Sequence, residues 1–92
     1  MRRVEVGVSL SRDLVRKLAT SNLGSEAIRC FLYLASRLDD CGNCNVSQTS
    51  IAFELDMKKS NVSKAIKLLL AHGFISDSHQ VGKIKFYKIV QE

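Results

Sequence analysis

The residues best suited to chemistry in this 92-residue chain lie between positions 58 and 67, and their chemistry is recognition rather than catalysis. One face of the helix expected there carries ammonium, hydroxyl and amide groups, which can hydrogen-bond to base edges or pair with phosphates. The polar positions are Lys58, Lys59, Ser60, Asn61, Ser63, Lys64 and Lys67. The opposite face carries an apolar stripe at the i, i+3, i+4, i+7 spacing of a buried helix: Val62, Ala65, Ile66 and Leu69.

The positive charge of the chain is concentrated in this helix and in the segment that follows it. The net charge is +5, yet residues 58–90 hold seven lysines and a single acidic residue, Asp77. The rest of the chain is therefore close to neutral. Charge concentrated in this way indicates a phosphate backbone as the partner, although a solvated basic face is the alternative interpretation.

A second candidate for chemistry is the pair Cys41 and Cys44, which has the spacing of metal ligands. A structural site needs about four ligands, and only Cys30, His72 and His79 offer further soft donors. Incidental cysteines in a tight loop are the favoured interpretation, and a metal-sensing or redox-sensing role stays open. The sequence contains no catalytic constellation and no phosphate-binding glycine loop, so we expect neither an enzyme nor a bound cofactor.

The elements that must position these residues fit one small domain, with room for a short arm. No apolar run approaches the roughly 18 residues that a membrane-spanning helix needs. The N-terminal residues MRRVEVGVSL lack the apolar stretch and the cleavage site of a signal peptide. We therefore expect a cytoplasmic protein.

Hydrophobic periodicity predicts a strand, four helices and a hairpin, in that order. Valines at alternate positions indicate a strand over 3–11, whereas the following segments show helical spacing. The predicted helices span 11–22, 25–38, 47–56 and 58–72. The predicted hairpin has strands over 74–79 and 83–90 around a loop that contains Gly82. The fold class is therefore α+β and mostly α.

Finer expectations concern the ends and faces of these helices. Serines 11, 25 and 47 are placed to cap the first three helices, Val46 and Ile51 have the spacing of a hydrophobic staple, and Gly73 is placed to close the fourth helix. The stripe of the first helix is expected at Leu14, Val15 and Leu18. The second helix is expected to bury positions 27, 28, 31, 32, 35 and 38, with Cys30 on its flank, and DDCGNC is expected to be a turn.

Residues 46–75, VSQTSIAFELDMKKSNVSKAIKLLLAHGFI, resemble the winged helix-turn-helix of bacterial, plasmid and viral DNA-binding regulators. They are particularly similar to the winged helices of small plasmid replication-control proteins. The matching features are the capping serine, Ala52 at the helix crossing, Leu55 before the turn, Met57 in the turn, the quartet 60–63, and the final Gly-Phe-Ile. The resemblance implies a three-helix core with a C-terminal hairpin as the wing.

The resemblance also implies roles for individual residues in binding double-stranded DNA. Those expected to face base edges, or to lie close behind, are Ser60, Asn61, Ser63 and Lys64. Those expected to contact phosphates are Gln48, Thr49, Lys58, Lys59 and Lys67. Those expected on the wing, against a flanking backbone or minor groove, are Lys83 and Lys85.

Three positions depart from the usual pattern of that family. Asp56 stands in the turn where glycine is common, and Phe53 stands where a polar residue is usual. Phe53 is expected to fill a groove against another helix or to face a partner. Lys58 stands where a serine or threonine cap is usual, so the recognition helix begins either there or at Ser60.

The N-terminal part of the chain is expected to be a dimerisation arm, residues 1–24, joined to a winged helix-turn-helix domain, residues 25–92. The order of elements over 3–38 resembles the ribbon-helix-helix of small dimeric repressors, whose strand reads DNA. The corresponding strand face here is poor in hydrogen-bond donors: Arg3, Glu5, Gly7 and Ser9. An apolar edge strand left unpaired promotes aggregation, which favours a dimerisation element over an inert extension.

The sequence therefore leads to one hypothesis and two alternatives. The hypothesis is a homodimeric, sequence-specific DNA-binding protein that regulates transcription or plasmid or viral replication. Its recognition helix, about 58–72, would lie in the major groove, and its wing, 74–90, on the flanking backbone. One alternative is a winged-helix protein-interaction module that does not bind DNA. The other is DNA binding through the N-terminal strand.

Overall fold

The computed structural model describes residues 10–39 and 43–90, and in these residues four helices and three strands form one fold. The elements are α1 (Arg12–Thr20), α2 (Ser25–Ser36), β1 (Asn43–Cys44), α3 (Gln48–Leu55), α4 (Lys59–Ala71), β2 (Ile75–Val81) and β3 (Ile84–Ile89). The predicted class, α+β and mostly α, is confirmed. The strand predicted over 3–11 falls almost entirely outside the described residues. Within the described ranges, no helix combines the length and the hydropathy that spanning a membrane requires.

Two of the three predicted serine caps are confirmed. The hydroxyl of Ser11 accepts a hydrogen bond from the backbone of Leu14 at 3.1 Å, and that of Ser47 accepts one from Ser50 at 3.2 Å. Each such cap stabilises its helix by about 1 kcal/mol. The prediction for Ser25 is wrong, because α2 begins one residue earlier than expected. Gly24 is its N-cap, and Ser25 is already helical.

The three strands form one antiparallel sheet in the order β1-β3-β2. The predicted hairpin is confirmed, but β2 continues to Val81, so the turn shortens to Gly82 and Lys83. Gly82 has a φ of +61°, and glycine at the first position of a two-residue turn suits the twist of a hairpin. β1 was not predicted, since it lies in the segment expected to be a turn. It pairs Cys44 with Tyr87 and completes the sheet.

The core lies between α2, α4 and the inner face of the sheet. Phe31 and Leu34 of α2 and Ile66 and Leu69 of α4 are buried members of this core. The ring of Phe31 contacts that of Phe74 edge to face, with centroids 5.9 Å apart. Aromatic pairs of this geometry add about 1 kcal/mol beyond the burial of their area. This packing fixes α4 against the rest of the domain.

The buried face of α2 differs from the predicted stripe. Cys30 and Leu34 are fully buried, whereas Leu32 is 53% exposed, so the placement of Cys30 on the flank and Leu32 in the stripe is wrong. Six consecutive apolar residues run from Cys30 to Ala35, so apolar side chains occur on every side of the helix. Its packing partners, α3 and α4, therefore decide which side is buried.

α1 packs on this same core. Leu14 and Leu18 are buried as predicted, but Val15, which was expected in the stripe, is 50% exposed. The ammonium of Lys17 lies 4.8 Å from the centroid of the Phe74 ring, a cation–π distance. α1 is thus tied to the segment that joins α4 to β2.

Candidate nucleic-acid interface

The turn between α3 and α4 is closed by Asp56 in the left-handed conformation, with a φ of +53°. The backbone N–H of Met57 donates to the carbonyl of Ala52 at 2.9 Å, and that of Asp56 donates to the carbonyl of Phe53 at 3.4 Å. These two bonds form a Schellman motif, which usually carries glycine at the left-handed position. Aspartate tolerates that conformation better than most residues, so the turn keeps its geometry without glycine.

α4 begins at Lys59, which answers where the recognition helix starts. Lys58 is its N-cap residue, and its side chain makes no capping hydrogen bond. The backbone N–H groups of Asn61 and Val62 both donate to the carbonyl of Lys58, at 2.9 and 3.0 Å. Ser60 therefore lies in the first turn instead of capping it. The N-terminal turn of α4 is left to present its polar side chains outward.

The two faces of α4 divide as the sequence predicts. The buried residues are Val62, Ala65, Ile66 and Leu69. At about 100° per residue, the polar side chains farthest from this stripe are those of Ser60, Lys64 and Lys67. We call the exposed polar residues at the start and along the outside of this helix the α4 front: Lys58, Lys59, Ser60, Lys64 and Lys67. Asn61 and Ser63 are partly buried at its two edges.

A cleft on one side of the α4 front gathers three lysines at the start of α3. We call it the wing cleft, and it is lined by Ser47, Gln48, Thr49, Lys59, Lys83, Ile84, Lys85 and Tyr87. Within the described part of the chain, none of the lining residues is acidic, so the cleft is cationic and attracts a polyanion. The amide of Gln48 donates to the hydroxyl of Tyr87 at 3.0 Å. That bond ties the first turn of α3 to the wing.

A second cleft lies on the other side of α4, against the start of α2. We call it the α2 cleft, and it is lined by Leu23, Gly24, Ser25, Glu26, Ala27, Asn61, Lys64, Ala65 and Leu68. Asn61 lines this cleft and does not belong to the most exposed face of α4. The α2 cleft holds one lysine and one carboxylate, so it is less cationic than the wing cleft.

The sequence between positions 21 and 75 matches the model of a protein family described as a helix-turn-helix domain. This match covers more than half of the chain. The protein belongs to the helix-turn-helix domain family. Together with the hairpin behind α4, this membership confirms the winged helix-turn-helix inferred from residues 46–75.

Solved structures show the same fold as this helix-turn-helix protein. A structure described as type III plasmid segregation TubR aligns over 98% of this chain and 82% of that chain, with a TM-score of 0.55 and 14% identity. A mutant of TubR aligns over 85% of this chain and 75% of that chain, with a TM-score of 0.53 and 15% identity. No curated protein sequence matches the chain. At such low identity, the structural similarity establishes the fold alone.

The helix-turn-helix fold brings most of the predicted site residues to one side of the domain. The α4 front and the wing cleft together include the following predicted residues: Gln48, Thr49, Lys58, Lys59, Ser60, Lys64, Lys67, Lys83 and Lys85. Asn61 and Ser63 lie at the edges of α4, and Asn61 opens toward the α2 cleft. Gln48, which was predicted to contact a phosphate, donates a hydrogen bond to Tyr87 in this structure.

Several residues of this surface were not predicted. Ser47, Ile84 and Tyr87 line the wing cleft, and residues 23–27 line the α2 cleft. The sequence of β3 gives no clear signal for Tyr87, because the apolar residues Ile84 and Phe86 alternate on the opposite face of the strand. The approach of α2 to Asn61 depends on how α2 crosses α4, for which the sequence gives no signal.

The two cysteines in the described residues are packing residues of this domain. Cys30 and Cys44 are fully buried free thiols, and burial raises the pKa of each to about 11. Both thiols are therefore neutral at physiological pH, which makes them poor nucleophiles. Cys41, the other member of the predicted pair, lies outside the described residues. Among the described residues, no three His, Cys, Asp or Glu side chains converge to hold a metal ion.

Proposed function

We propose that this helix-turn-helix protein is a sequence-specific binder of double-stranded DNA that regulates transcription or plasmid or viral replication. The α4 front would enter the major groove, and the wing would lie on the flanking backbone. The similarity in fold to TubR, whose structure is described as a type III plasmid segregation protein, supports a role in plasmid maintenance.

The observation that carries this proposal is the wing cleft. Lys59 comes from the recognition helix and Lys83 and Lys85 from the wing, yet the fold brings them to one cleft at the start of α3. A phosphate there would meet three cations and the positive end of the α3 dipole. The α4 front continues the same surface, so one duplex could contact both.

The expected contacts follow from the positions of the side chains on α4. Ser60 and Lys64 point farthest outward in the first two turns and are the best placed to reach base edges, with Ser63 beside them. Asn61 reaches a base only if the duplex also approaches the start of α2. Lys58, Lys59, Lys67, Gln48 and Thr49 are assigned to phosphates, which set the position of the protein without reading sequence.

We further propose that the protein binds as a homodimer through its N-terminal residues. Two recognition helices about 34 Å apart would then read half-sites one helical turn apart, in a palindromic operator. Removal of residues 1–9 tests the arm, because it leaves α1 and its buried leucines in place. Sedimentation is expected to show a dimer for the full chain and a monomer for the shortened one. A shortened chain that stays dimeric would place the interface elsewhere.

Selection of bound sequences from a random duplex library tests the proposal as a whole. The expected result is an enriched motif with two symmetric half-sites. Affinity for the selected duplex should fall with salt, with a log–log slope of about −0.9 for each phosphate contact. Failure to enrich any motif, together with a flat salt dependence, would contradict sequence-specific DNA binding.

A second function is favoured by one observation, the exposure of Phe53. This side chain is 82% exposed on α3, and it borders a groove with Tyr33 and Arg37 of α2. Among the described residues, no helix covers Phe53, so of its two expected roles the structure favours facing a partner over filling a groove against another helix. An exposed aromatic anchor of this kind is typical of protein-binding surfaces. Binding through Phe53 would respond to Phe53→Ser and little to salt, whereas binding of DNA through α4 would do the reverse.

A further inference from the structure

We propose that the tip of the wing is an apolar wedge that enters the minor groove and bends the bound DNA. Its two side chains are Val81 and Ile84, which flank the turn of the hairpin. The inference rests on the proposed DNA binding and adds a bend to it. It also predicts a preference for a flexible base step in the DNA, at a position where the protein makes no hydrogen bond to a base.

The exposure of this pair is the first observation. Val81 is 62% exposed and Ile84 is 48% exposed, and the two are paired directly across the hairpin. Directly paired residues share one face of the sheet, so the two side chains form a single apolar projection. Hairpin tips are usually polar, because nothing there is shielded from water. Two branched aliphatic side chains at this position therefore indicate an apolar surface that a partner covers.

The wing is also braced behind its tip. The rings of His79 and Phe86 stack with centroids 4.7 Å apart and planes 13° from parallel. The side-chain amide of Gln80 donates to the carbonyl of Gly82 at 2.8 Å, which fixes the turn. Farther back, Tyr87 is held by Gln48 of α3. A rigid hairpin can keep its apolar tip inserted at a base step, whereas a flexible hairpin would bend away from it.

Charge decides the chemical class of the partner. Lys83 lies in the turn itself, and Lys85 follows Ile84. No acidic residue occurs between positions 78 and 90. An apolar tip flanked by two lysines suits a partner that is anionic outside and apolar inside. A DNA duplex is such a partner, because its phosphates are outside and its stacked bases are inside. An anionic lipid surface has the same chemistry, but Ile84 of the tip lines the wing cleft together with Lys59 of the recognition helix. A duplex whose major groove holds α4 would present its neighbouring minor groove there.

Insertion of apolar side chains has a defined effect on DNA. Such wedges partly unstack one base step and kink the duplex by about 20–90° toward the major groove. The cost is smallest at flexible pyrimidine–purine steps, such as TA and CA. The wing would therefore favour such a step at a fixed distance from the motif that α4 reads.

The test measures bending and affinity together on the selected duplex, labelled at both ends for energy transfer. The wild-type protein is expected to raise the transfer efficiency, and Val81→Ser with Ile84→Ser to return it toward that of free DNA. The affinity of this double variant should fall about tenfold with its salt slope unchanged, because no cation has been removed. Leu32→Ser is the control, since it removes an aliphatic side chain of similar exposure from α2. It should bind and bend as the wild type does.

Each other outcome has a definite meaning. If the serine variant fails to fold, Val81→Thr with Ile84→Thr keeps the β-branched shape and is expected to reduce the bend partially. A wild-type complex without a bend, or a variant that bends DNA equally, would overturn the wedge while leaving DNA binding intact. Failure of the wild-type protein to bind any duplex would overturn the proposed function and the wedge with it. Tighter binding to vesicles of phosphatidylserine than to duplex would assign the tip to a membrane.

Discussion

The two halves of α4 differ in burial, in charge and in the way each end is closed. The first half, residues 58–64, carries three exposed lysines and begins at Lys58 without a side-chain cap. The second half, residues 65–73, buries Ala65, Ile66 and Leu69 and ends in a Schellman motif at Gly73. The buried stripe, Val62 included, holds both halves of the helix to the core, and the first half carries more of the exposed cations. Substitutions of the exposed residues should therefore change binding most, and those of the buried residues should change stability most.

The largest effect is expected at Leu69, in the second half of α4. Leu69→Ala should lower the free energy of unfolding by about 2–5 kcal/mol, because Leu69 is fully buried and its truncation leaves a cavity in the core. Urea denaturation measures this change. Leu68→Ala is the matched control: Leu68 is 40% exposed, and its truncation should cost less than about 1 kcal/mol. Equal losses at the two positions would contradict the assignment of the buried face.

The next effect is expected at Lys64, in the first half. Lys64→Ala should reduce discrimination between the selected motif and a single-base variant by about 1–3 kcal/mol, with little change in unfolding. Lys67→Ala, which removes a phosphate contact, should instead weaken binding to all duplexes alike and reduce the salt slope by about 0.9. Competition titrations at several salt concentrations separate the two. If Lys64→Ala weakened all duplexes equally, Lys64 would be a phosphate contact and not a base contact.

A smaller effect is expected where α3 and α4 end, because the two helices end in the same hydrogen-bond pattern with different residues. Gly73 has a φ of +76° and Asp56 has a φ of +53°. Gly73→Ala should destabilise the fold by about 1–2 kcal/mol, since the left-handed conformation is unfavourable for alanine. Asp56→Gly should be neutral or stabilise by up to about 1 kcal/mol. Thermal unfolding of the two variants checks the signs, and a large loss for Asp56→Gly would show that the carboxylate itself holds the turn.

The smallest effect is expected at the uncapped start of α4. Lys58→Ser supplies the missing cap and should stabilise the fold by about 0.5–1 kcal/mol. It also removes one cation, so the salt slope of DNA binding should fall by about 0.9. Denaturation and a salt titration of the same variant measure both changes. A gain in stability without any change in the salt slope of DNA binding would show that Lys58 does not contact the DNA.

The sequence predicted α4 well and α2 poorly, and the reason is the density of apolar residues. In α4, lysines and serines separate the apolar positions, so the 3.6-residue period selects a single face. In α2, the run from Cys30 to Ala35 offers several faces, and packing selects among them. The strand β1 was missed because two residues carry no periodicity. It forms by pairing with Lys88 and Tyr87, more than 40 residues away along the chain.

The candidate site shows the same division between local and long-range information. Residue types and helical phase were enough to name the α4 front. The wing cleft depends on the bond between Gln48 and Tyr87, which joins positions 39 residues apart. The wing tip depends on the register that pairs Val81 with Ile84. The first relation is long-range and leaves no signal in the sequence. The second is local and follows from the two-residue turn, and it was missed because the first strand was predicted to end at position 79.

The most direct measurement of the central claim is the affinity for the selected duplex after charge reversal on the α4 front. Lys58→Glu with Lys64→Glu should lower the affinity by at least about 100-fold at about 0.1 M salt, because two attractive contacts with DNA become repulsive. Arg12→Glu with Arg16→Glu changes the net charge equally on exposed positions of α1, which lines neither cleft.

We expect this control to bind within about threefold of the wild type, and sedimentation and thermal unfolding to be unchanged in both variants. Equal losses in the two variants, with the wild-type oligomer retained in sedimentation, would show that only the overall charge attracts DNA. Undiminished binding after reversal of Lys58 and Lys64 would contradict recognition through α4.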